Sequence, residues 1–424
     1  MSQLEKLCNI FAPLKRWQRL ALYAAILFPV IDYVLRRVLN LRVVAALWDQ
    51  ALILFLVLCA VSVLPRRMHR LRQLNILGAI YPLLAISAAY LVADLNHIMI
   101  TAEGLRATLQ FVPFFFVSCL VIEDTRQAVS LVRLAGAAAA GIALIGLGQA
   151  AVGVDMPSGW VDLTDAVDVR IFSIVQSPNV LGSHLALAIP ICAGLAVYRR
   201  DVREKWLWAA LSLMMVPALV LTFSRGAWLA FAGAVLVGSY FVDRRVFWAA
   251  AAGGAAVMLF MPAISGRVLA VISPDYLEKS MLGGRLGRWL GVFDRLRGEP
   301  LFGSGPGRYG GAVAARAFGT PYVDNYYVRL AAEKGLVGLS AYLIWLVRVL
   351  GVGFVNWIGR RGSREFYLLG GLFCGLFAVA LHNGVENIFE VPYMNGYFWL
   401  LAGLLAVYPQ LQRGAAAEEA EDEE

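Results

Sequence analysis

The sequence predicts an all-α polytopic membrane protein. Of its 424 residues, 60% are hydrophobic and only 16% are charged, whereas a soluble domain is about 45–50% apolar and about 25% charged. The mean hydropathy is +0.69. Apolar runs of about 20 residues, each long enough to cross a hydrocarbon core of about 30 Å, recur from one end of the chain to the other. Disorder, a nucleic-acid-binding module, a disulfide-rich secreted fold and a cytosolic enzyme all fit this composition poorly. The five cysteines, Cys8, Cys59, Cys119, Cys192 and Cys374, are far apart and show no metal-ligand or disulfide spacing.

The length rule gives about twelve spans, at 18–35, 43–64, 75–94, 105–122, 129–151, 179–198, 206–223, 226–242, 246–262, 325–350, 366–385 and 394–410. The first is the weakest, because Asp32 lies inside it. The expected organisation is spans one to nine over 1–262, a large outer loop over 263–324, three further spans over 325–410, and an acidic tail over 411–424. That tail carries Glu418, Glu419, Glu421, Asp422, Glu423 and Glu424, a solvated end by composition.

The net charge of +8 reads as topology rather than as affinity for nucleic acid. Basic residues cluster on one side of the expected spans: Arg66, Arg67, Arg70 and Arg72, then Arg199, Arg200, Arg203 and Lys205, then Arg244 and Arg245, then Arg360, Arg361 and Arg364. The opposite loops carry Asp94, Glu103, Asp155, Asp162, Asp165, Asp168, Glu386 and Glu390. The positive-inside rule therefore puts both termini in the cytoplasm, with Lys6, Lys15, Arg16 and Arg19 flanking a first anchor that is kept. Arg36, Arg37 and Arg42 run against the rule.

Two outer segments are too long for plain turns. One covers 152–178 and contains Met156-Pro157-Ser158-Gly159-Trp160; the other covers 263–324. Within the second, 285–297 reads as an amphipathic helix with Leu286, Trp289, Leu290 and Phe293 on one face and Arg285, Arg288 and Arg295 off it. Such a helix is expected to lie in the outer interface with Trp289 at headgroup depth.

Arginines on the outer side are the informative residues for chemistry. Arg170 precedes Ile171-Phe172-Ser173, Arg225 lies at the turn between spans seven and eight, and Arg285 follows Gly283-Gly284. A guanidinium at a membrane surface suits phosphate, because its planar fork donates two parallel hydrogen bonds and stays charged. The plainer readings are a snorkelling side chain, or a salt bridge to Asp165 or Asp168. Gly303-Ser304-Gly305-Pro306-Gly307-Arg308 is a glycine-rich turn without the Gly-Lys-Ser/Thr of a Walker loop. It is either a structural turn or a backbone nest for an anion. Asp324, where the outer loop enters span ten, reads as a helix N-cap or as a general base. His382 and Glu386 stand one helical turn apart near the outer end of span eleven, with Glu390 four residues on; they either satisfy each other or act in function.

In order and spacing, five segments resemble the O-antigen ligase and polymerase family of bacterial envelope glycosyltransferases. They are Ser177-Pro178-Asn179-Val180-Leu181-Gly182, Thr222-Phe223-Ser224-Arg225-Gly226-Ala227-Trp228-Leu229-Ala230, Gly284-Arg285-Leu286, Leu301-Phe302-Gly303-Ser304-Gly305-Pro306-Gly307, and Asp324-Asn325 through Gly335 and Gly338. The resemblance covers about 165–410. It implies a membrane fold of the GT-C type in the bacterial inner membrane, and transfer of an oligosaccharide from undecaprenyl diphosphate at the periplasmic face. It implies no metal, no nucleotide sugar and no other cofactor. Ligases of the family carry His with Asn or Ser, then nine residues, then Gly-x-x-Gly. Here Asp324 stands in the histidine's place. The related peptidoglycan polymerases of the SEDS family place a catalytic Asp at a similar distance before such glycines.

The resemblance makes Asp324 the catalytic base. Arg225 and Arg285 become the diphosphate contacts, with Arg170 or Arg308 as a third. Asn325, Tyr322, Tyr326, His382 and Glu386 become candidate acceptor or sugar contacts, and Tyr327 a further aromatic platform. In-line displacement predicts inversion at the anomeric carbon. An acceptor that is another undecaprenyl-linked repeat makes the protein a polymerase of O-antigen or exopolysaccharide, the reading favoured by Asp324. An acceptor on lipid A core, or on protein, makes it a ligase. Membrane lipid and a chain-length regulator are the further partners implied. A secondary transporter for an anionic solute is the rival from another class, against which stands the lack of an inverted repeat. A non-catalytic scaffold of the envelope machinery would not need Arg225, Arg285 and Asp324.

Overall fold

The computed structural model describes residues 15–155 and 170–422, and is helical with no strand among them. Lys6, Cys8, the Met156–Trp160 motif, Asp162, Asp165 and Asp168 lie outside the described residues, as do the side chains of the acidic tail. The helices are α1 (Lys15–Ile26), α2 (Phe28–Tyr33), α3 (Arg42–Leu74), α4 (Leu77–Ala93), α5 (Ile98–Leu109), α6 (Pro113–Val121) and α7 (Thr125–Val152), followed by α8 (Pro178–Tyr198), α9 (Val202–Leu221), α10 (Arg225–Val242) and α11 (Arg244–Phe260). The segment expected as an outer loop then holds α12 (Pro262–Leu269), α13 (Pro274–Met281), α14 (Arg285–Gly298) and α15 (Ala312–Phe318). The chain ends with α16 (Tyr326–Ile358), α17 (Glu365–His382) and α18 (Pro392–Asp422).

Seven helices among the described residues are long and apolar enough to cross a membrane: α3, α7, α8, α9, α10, α16 and α17. The number rises to ten if three bent pairs each count as one span. These pairs are Lys15–Ile26 with Phe28–Val38 at 74°, Leu77–Ala93 with Leu95–Leu109 at 84°, and Arg244–Phe260 with Ile264–Ile272 at 93°. The expected twelve is not reached by this measure. The expected fourth span shows one reason: it is split between α5 and α6 at the turn before Pro113. Proline lacks the amide hydrogen a helix interior needs, and suits the first helical position of the new segment.

The core is arranged around α8, 78% of whose apolar window is buried, against 22% for the peripheral α3. The closest partner of α8 is α17, and the two backbones nearly touch. A Cβ on Gly371 would lie 2.3 Å from the Pro190 carbonyl oxygen, and one on Gly375 2.3 Å from that of Leu187. Small residues at a helix interface permit this approach in lipid, where dispersion replaces hydrophobic drive. The short α6 is held by α18, with Ser118 Oγ donating to the Leu400 carbonyl at 2.7 Å.

Most of the basic set gathers at the end of the bundle opposite Asn179, Arg225 and His382, since α8, α10 and α17 run from one end to the other. Several of these arginines donate to carbonyls that terminate helices. Arg67 reaches Leu120 O at 2.6 Å, Arg70 reaches Ile122 O at 2.8 Å, and Arg361 reaches Phe241 O at 2.8 Å. Cations at helix C-termini satisfy orphan acceptors and favour the local dipole. The three arginines that run against the charge rule are held locally: Arg36 pairs with Asp32 at 2.8 Å, Arg37 donates to Gln176 Oε1 at 2.7 Å, and Arg42 donates to Asn40 at 3.2 Å.

Gly335 breaks α16 with φ 60° and ψ −172°, a region open essentially to glycine alone. The glycine-rich turn docks into that break. Ser304 N donates to Ala332 O at 2.9 Å and Gly305 N to Glu333 O at 2.8 Å, while Leu336 N and Val337 N reach Pro300 O and Leu301 O. The Glu333 carboxylate accepts from Gly307 N at 3.1 Å and Tyr309 N at 3.4 Å. The turn is thus structural, and the anion that its backbone nests is the chain's own Glu333. Gly335→Ala is expected to lower the thermal stability of the purified protein. The backbone conformation alone costs of order 1–3 kcal/mol, and the new Cβ would sit 2.3 Å from Leu301 carbonyl atoms. An unchanged melting temperature would show that the break is not required.

Candidate active site

The loop helices α12 to α14 fold back over the ends of α8, α10 and α17 and enclose a cavity of about 430 Å³. Six cations line it: Arg170, Arg225, Arg267, Lys279, Arg285 and Arg288. Only Asp275 and Glu386 among the lining residues oppose them. His382, Asn179, Tyr276 and three serines, Ser224, Ser273 and Ser280, complete the polar lining.

Local structure explains how each cation is presented. Phe223, with φ 50°, turns the chain sharply so that α10 opens at Arg225. Ser224 stands at the N-cap without a side-chain capping bond, which leaves first-turn N–H groups and a positive helix end at the cavity wall. The Arg225 guanidinium lies 4.9 Å from the Tyr276 ring centroid and has no carboxylate partner among the described residues. Gly226 lets α10 pass close to α17, since a Cβ there would come within 3.0 Å of His382. Arg170 donates to Thr222 O at 3.0 Å and to Asn179 Oδ1 at 3.2 Å. Its expected partners Asp165 and Asp168 lie outside the described residues. Arg267 donates to Phe223 O at 3.3 Å.

Arg285 is the hub of the carboxylate side. It bridges Glu386 Oε2 at 3.1 Å and Asp324 Oδ2 at 3.6 Å, and Arg288 reaches the same Asp324 oxygen at 3.1 Å. Asn179 Nδ2 donates to Glu386 Oε2 at 2.5 Å. Burial works against the charge of Arg285, but Glu386 and then Asp324 outweigh it, and its pKa is raised. Burial also pushes the Glu386 carboxyl above the ordinary range; Arg285 pulls it back, and the neighbouring Asp324 charge adds to the rise. Both arginine contacts of Asp324 fall on Oδ2, leaving Oδ1 to meet a proton.

Asp324 does not cap α16. Asn325 does, accepting from Tyr327 N at 3.1 Å and Val328 N at 3.0 Å, while Asp324 is held at φ 50° one residue earlier. The expected helix over 285–297 exists as α14. Arg285 and Arg288 point to the site, Trp289 Nε1 donates to Val323 O at 2.8 Å, and Val292 is buried, while Leu290 and Phe293 are exposed. Among the other expected contacts, His382 and Glu386 line the cavity. Tyr326 is fully buried against Tyr342 and Phe389 and belongs to the core. Tyr327 donates to Ala380 O at 2.7 Å. Tyr322 is half-exposed, and its carbonyl takes a hydrogen bond from Arg288. Arg308 stands apart, paired with Asp94 at 2.6 Å. Arg267, Lys279 and Arg288 were not among the expected site residues; all three are cations of the outer segments, the criterion that selected Arg225.

Residues 209–343 match the family described as O-antigen ligase. The match makes this segment similar to that family. It covers about a third of the chain and runs from within α9 to within α16. It contains Arg225, Arg267, Arg285, Arg288 and Asp324. Arg170, Asn179, His382 and Glu386 reach the same cavity from outside it. Among curated proteins, none matches the chain.

Proposed function

We propose that the protein is an inverting glycosyltransferase that moves an oligosaccharide from undecaprenyl diphosphate to an acceptor hydroxyl. The match to the O-antigen ligase family supports a glycosyltransferase-type enzyme acting on lipid-linked glycan. The observation that carries the finer reading is the six-cation cavity with a carboxylate, Asp324, held at its edge by Arg285 and Arg288. The donor diphosphate enters and takes Arg285 from Asp324 and Glu386, while Arg225, Arg170 and the open end of α10 meet its other oxygens. These groups neutralise charge that grows on the leaving diphosphate as the glycosidic bond breaks, so they act most strongly in the transition state. Asp324 Oδ1 takes the acceptor proton as the hydroxyl attacks from the face opposite the diphosphate.

The architecture we favour is GT-C-like with twelve crossings, α4 alone, α5 with α6, and α18 each counted as one, both termini in the cytoplasm and the cavity on the periplasmic side. The basic set at the far end of the bundle supports that orientation. A cysteine at the exposed position of Glu278 is expected to react with an impermeant maleimide in intact cells, and one at Arg200 only after lysis. The opposite pattern would overturn the orientation and the periplasmic reaction together.

Asp324 in the position of the ligases' histidine tilts the reading toward polymerisation of repeat units over ligation to lipid A core. Purified protein given a synthetic undecaprenyl diphosphate oligosaccharide, with either a second such molecule or lipid A core as acceptor, tests the reading. Release of undecaprenyl diphosphate with formation of a longer or core-linked glycan is expected. Absence of transfer to either acceptor overturns it.

A further inference from the structure

We infer that a second cavity, toward the C-terminal end of α14, holds a phosphate-bearing lipid anchor of the acceptor. This inference rests on the transferase reading above and adds the place where the acceptor is held. The cavity measures about 440 Å³ and is lined by His97, Arg295, Ser304, Arg308, Phe318 and Thr320. It shares no residue with the first.

Its polar groups are set for an anion. Arg308 is fixed by Asp94 at 2.6 Å and by the Ser304 carbonyl at 3.2 Å. Arg295 lies 4.5 Å from the Tyr309 ring centroid and pairs with no carboxylate among the described residues. Thr320 Oγ1 is buried with no hydrogen-bond partner among them. Phe318 lines the cavity and is exposed, and Leu95, Met99 and Phe302, each two positions along the chain from a lining residue, are exposed as well. A charged pocket with an exposed Phe318 at its wall and further exposed apolar side chains nearby in the chain suits an amphiphile, with the phosphate inside and the acyl or prenyl chain outside.

The relation between the two cavities makes this an acceptor site. Arg285 faces the first and Arg295 the second, ten residues or about 15 Å apart along α14. Thr320 lines the second cavity, and Asp324 lies four residues on, a reach of at most about 14 Å. Arg288 on Tyr322 O and Trp289 on Val323 O fasten that short segment to α14, which fixes the spacing. A glycan anchored by its phosphate in the second cavity thus extends toward Asp324, where the donor's anomeric carbon is presented from the other side. Two diphosphates in the first cavity alone would repel each other; separate cationic pockets remove that conflict. An undecaprenyl diphosphate glycan and a phosphorylated lipid A core share the chemistry this pocket recognises.

The test uses the full-length protein in nanodiscs with four acceptors: an undecaprenyl diphosphate repeat, the same glycan on an uncharged alkyl anchor, lipid A core, and lipid A core stripped of phosphate. Acceptor binding is read directly as well as through KM. The wild type is expected to prefer the phosphorylated member of one pair by roughly tenfold or more, the scale of one charge-assisted hydrogen bond. The pair showing the preference identifies the source of the anchor. Arg295→Gln should erase that preference while leaving KM for the donor and the melting temperature unchanged. Arg308→Lys, which keeps the Asp94 pair, should weaken it in part. Equal binding of charged and uncharged anchors by the wild type, or a preference undiminished in Arg295→Gln, overturns the inference. A protein that transfers to no acceptor and releases no undecaprenyl diphosphate overturns instead the transferase reading.

Discussion

Asp324→Asn is expected to lower turnover by roughly 10²–10⁴-fold, the usual worth of a positioned general base. The substitution is unusually clean here. Asn tolerates the left-handed backbone that Asp324 adopts, and the cap of α16 is untouched because Asn325 supplies it. The neutral amide also competes less with the donor for Arg285 and Arg288, so donor affinity should hold or rise while turnover collapses. A residue that only tethers the two arginines would give the opposite split, with turnover kept. Asp324→His would restore the side chain carried by the ligases it resembles, and is expected to recover part of the activity. Wild-type turnover by the Asn variant would move the base role to His382 or Glu386, both of which line the cavity.

Arg225→Ala and Arg285→Ala should each nearly abolish transfer. A charge-assisted hydrogen bond to a desolvated diphosphate is worth of order 1.5–3 kcal/mol, so kcat/KM is expected to fall by about tenfold to more than a hundredfold for each one removed. The two variants should differ in stability. Arg225 touches a tyrosine ring and no described carboxylate, so its replacement leaves the fold intact. Arg285 holds both Glu386 and Asp324, and its removal leaves a buried carboxyl without its cation, which lowers the melting temperature as well. Lysine should rescue poorly at either position, because a point charge cannot make the paired hydrogen bonds of a guanidinium. Full activity of both lysine variants, measured with purified protein, would show that these arginines only orient the outer helices.

The helical bundle and the cationic character of the site were legible in the sequence, because apolar run length and arginines on the unexpected side are local properties. The partner assignments were not. Glu386 meets Asn179 across 207 positions and Arg285 across 101, and no spacing rule reaches that far. The break at Gly335 was also hidden, since a lone glycine inside a span is read as helix unless its φ is known. The cap of α16 was off by one position, because Asp and Asn cap about equally well and the left-handed φ that tells them apart is not written in residue type. The helix α14 was legible from its period, but the carboxylates its arginines meet were not: Arg285 reaches Glu386 and, with Arg288, Asp324, both outside the helix.

The cavity draws on stretches far apart in the reading frame, beginning at Arg170 and closing only with Glu386. A chain still emerging from the ribosome, with α8 to α16 already inserted, lacks the wall that His382 and Glu386 provide. On the proposed transferase reading, a half-made molecule has no complete cavity in which to hold a donor. A truncated product ending before α17 would lack the same wall, even with every residue of the matched segment in place.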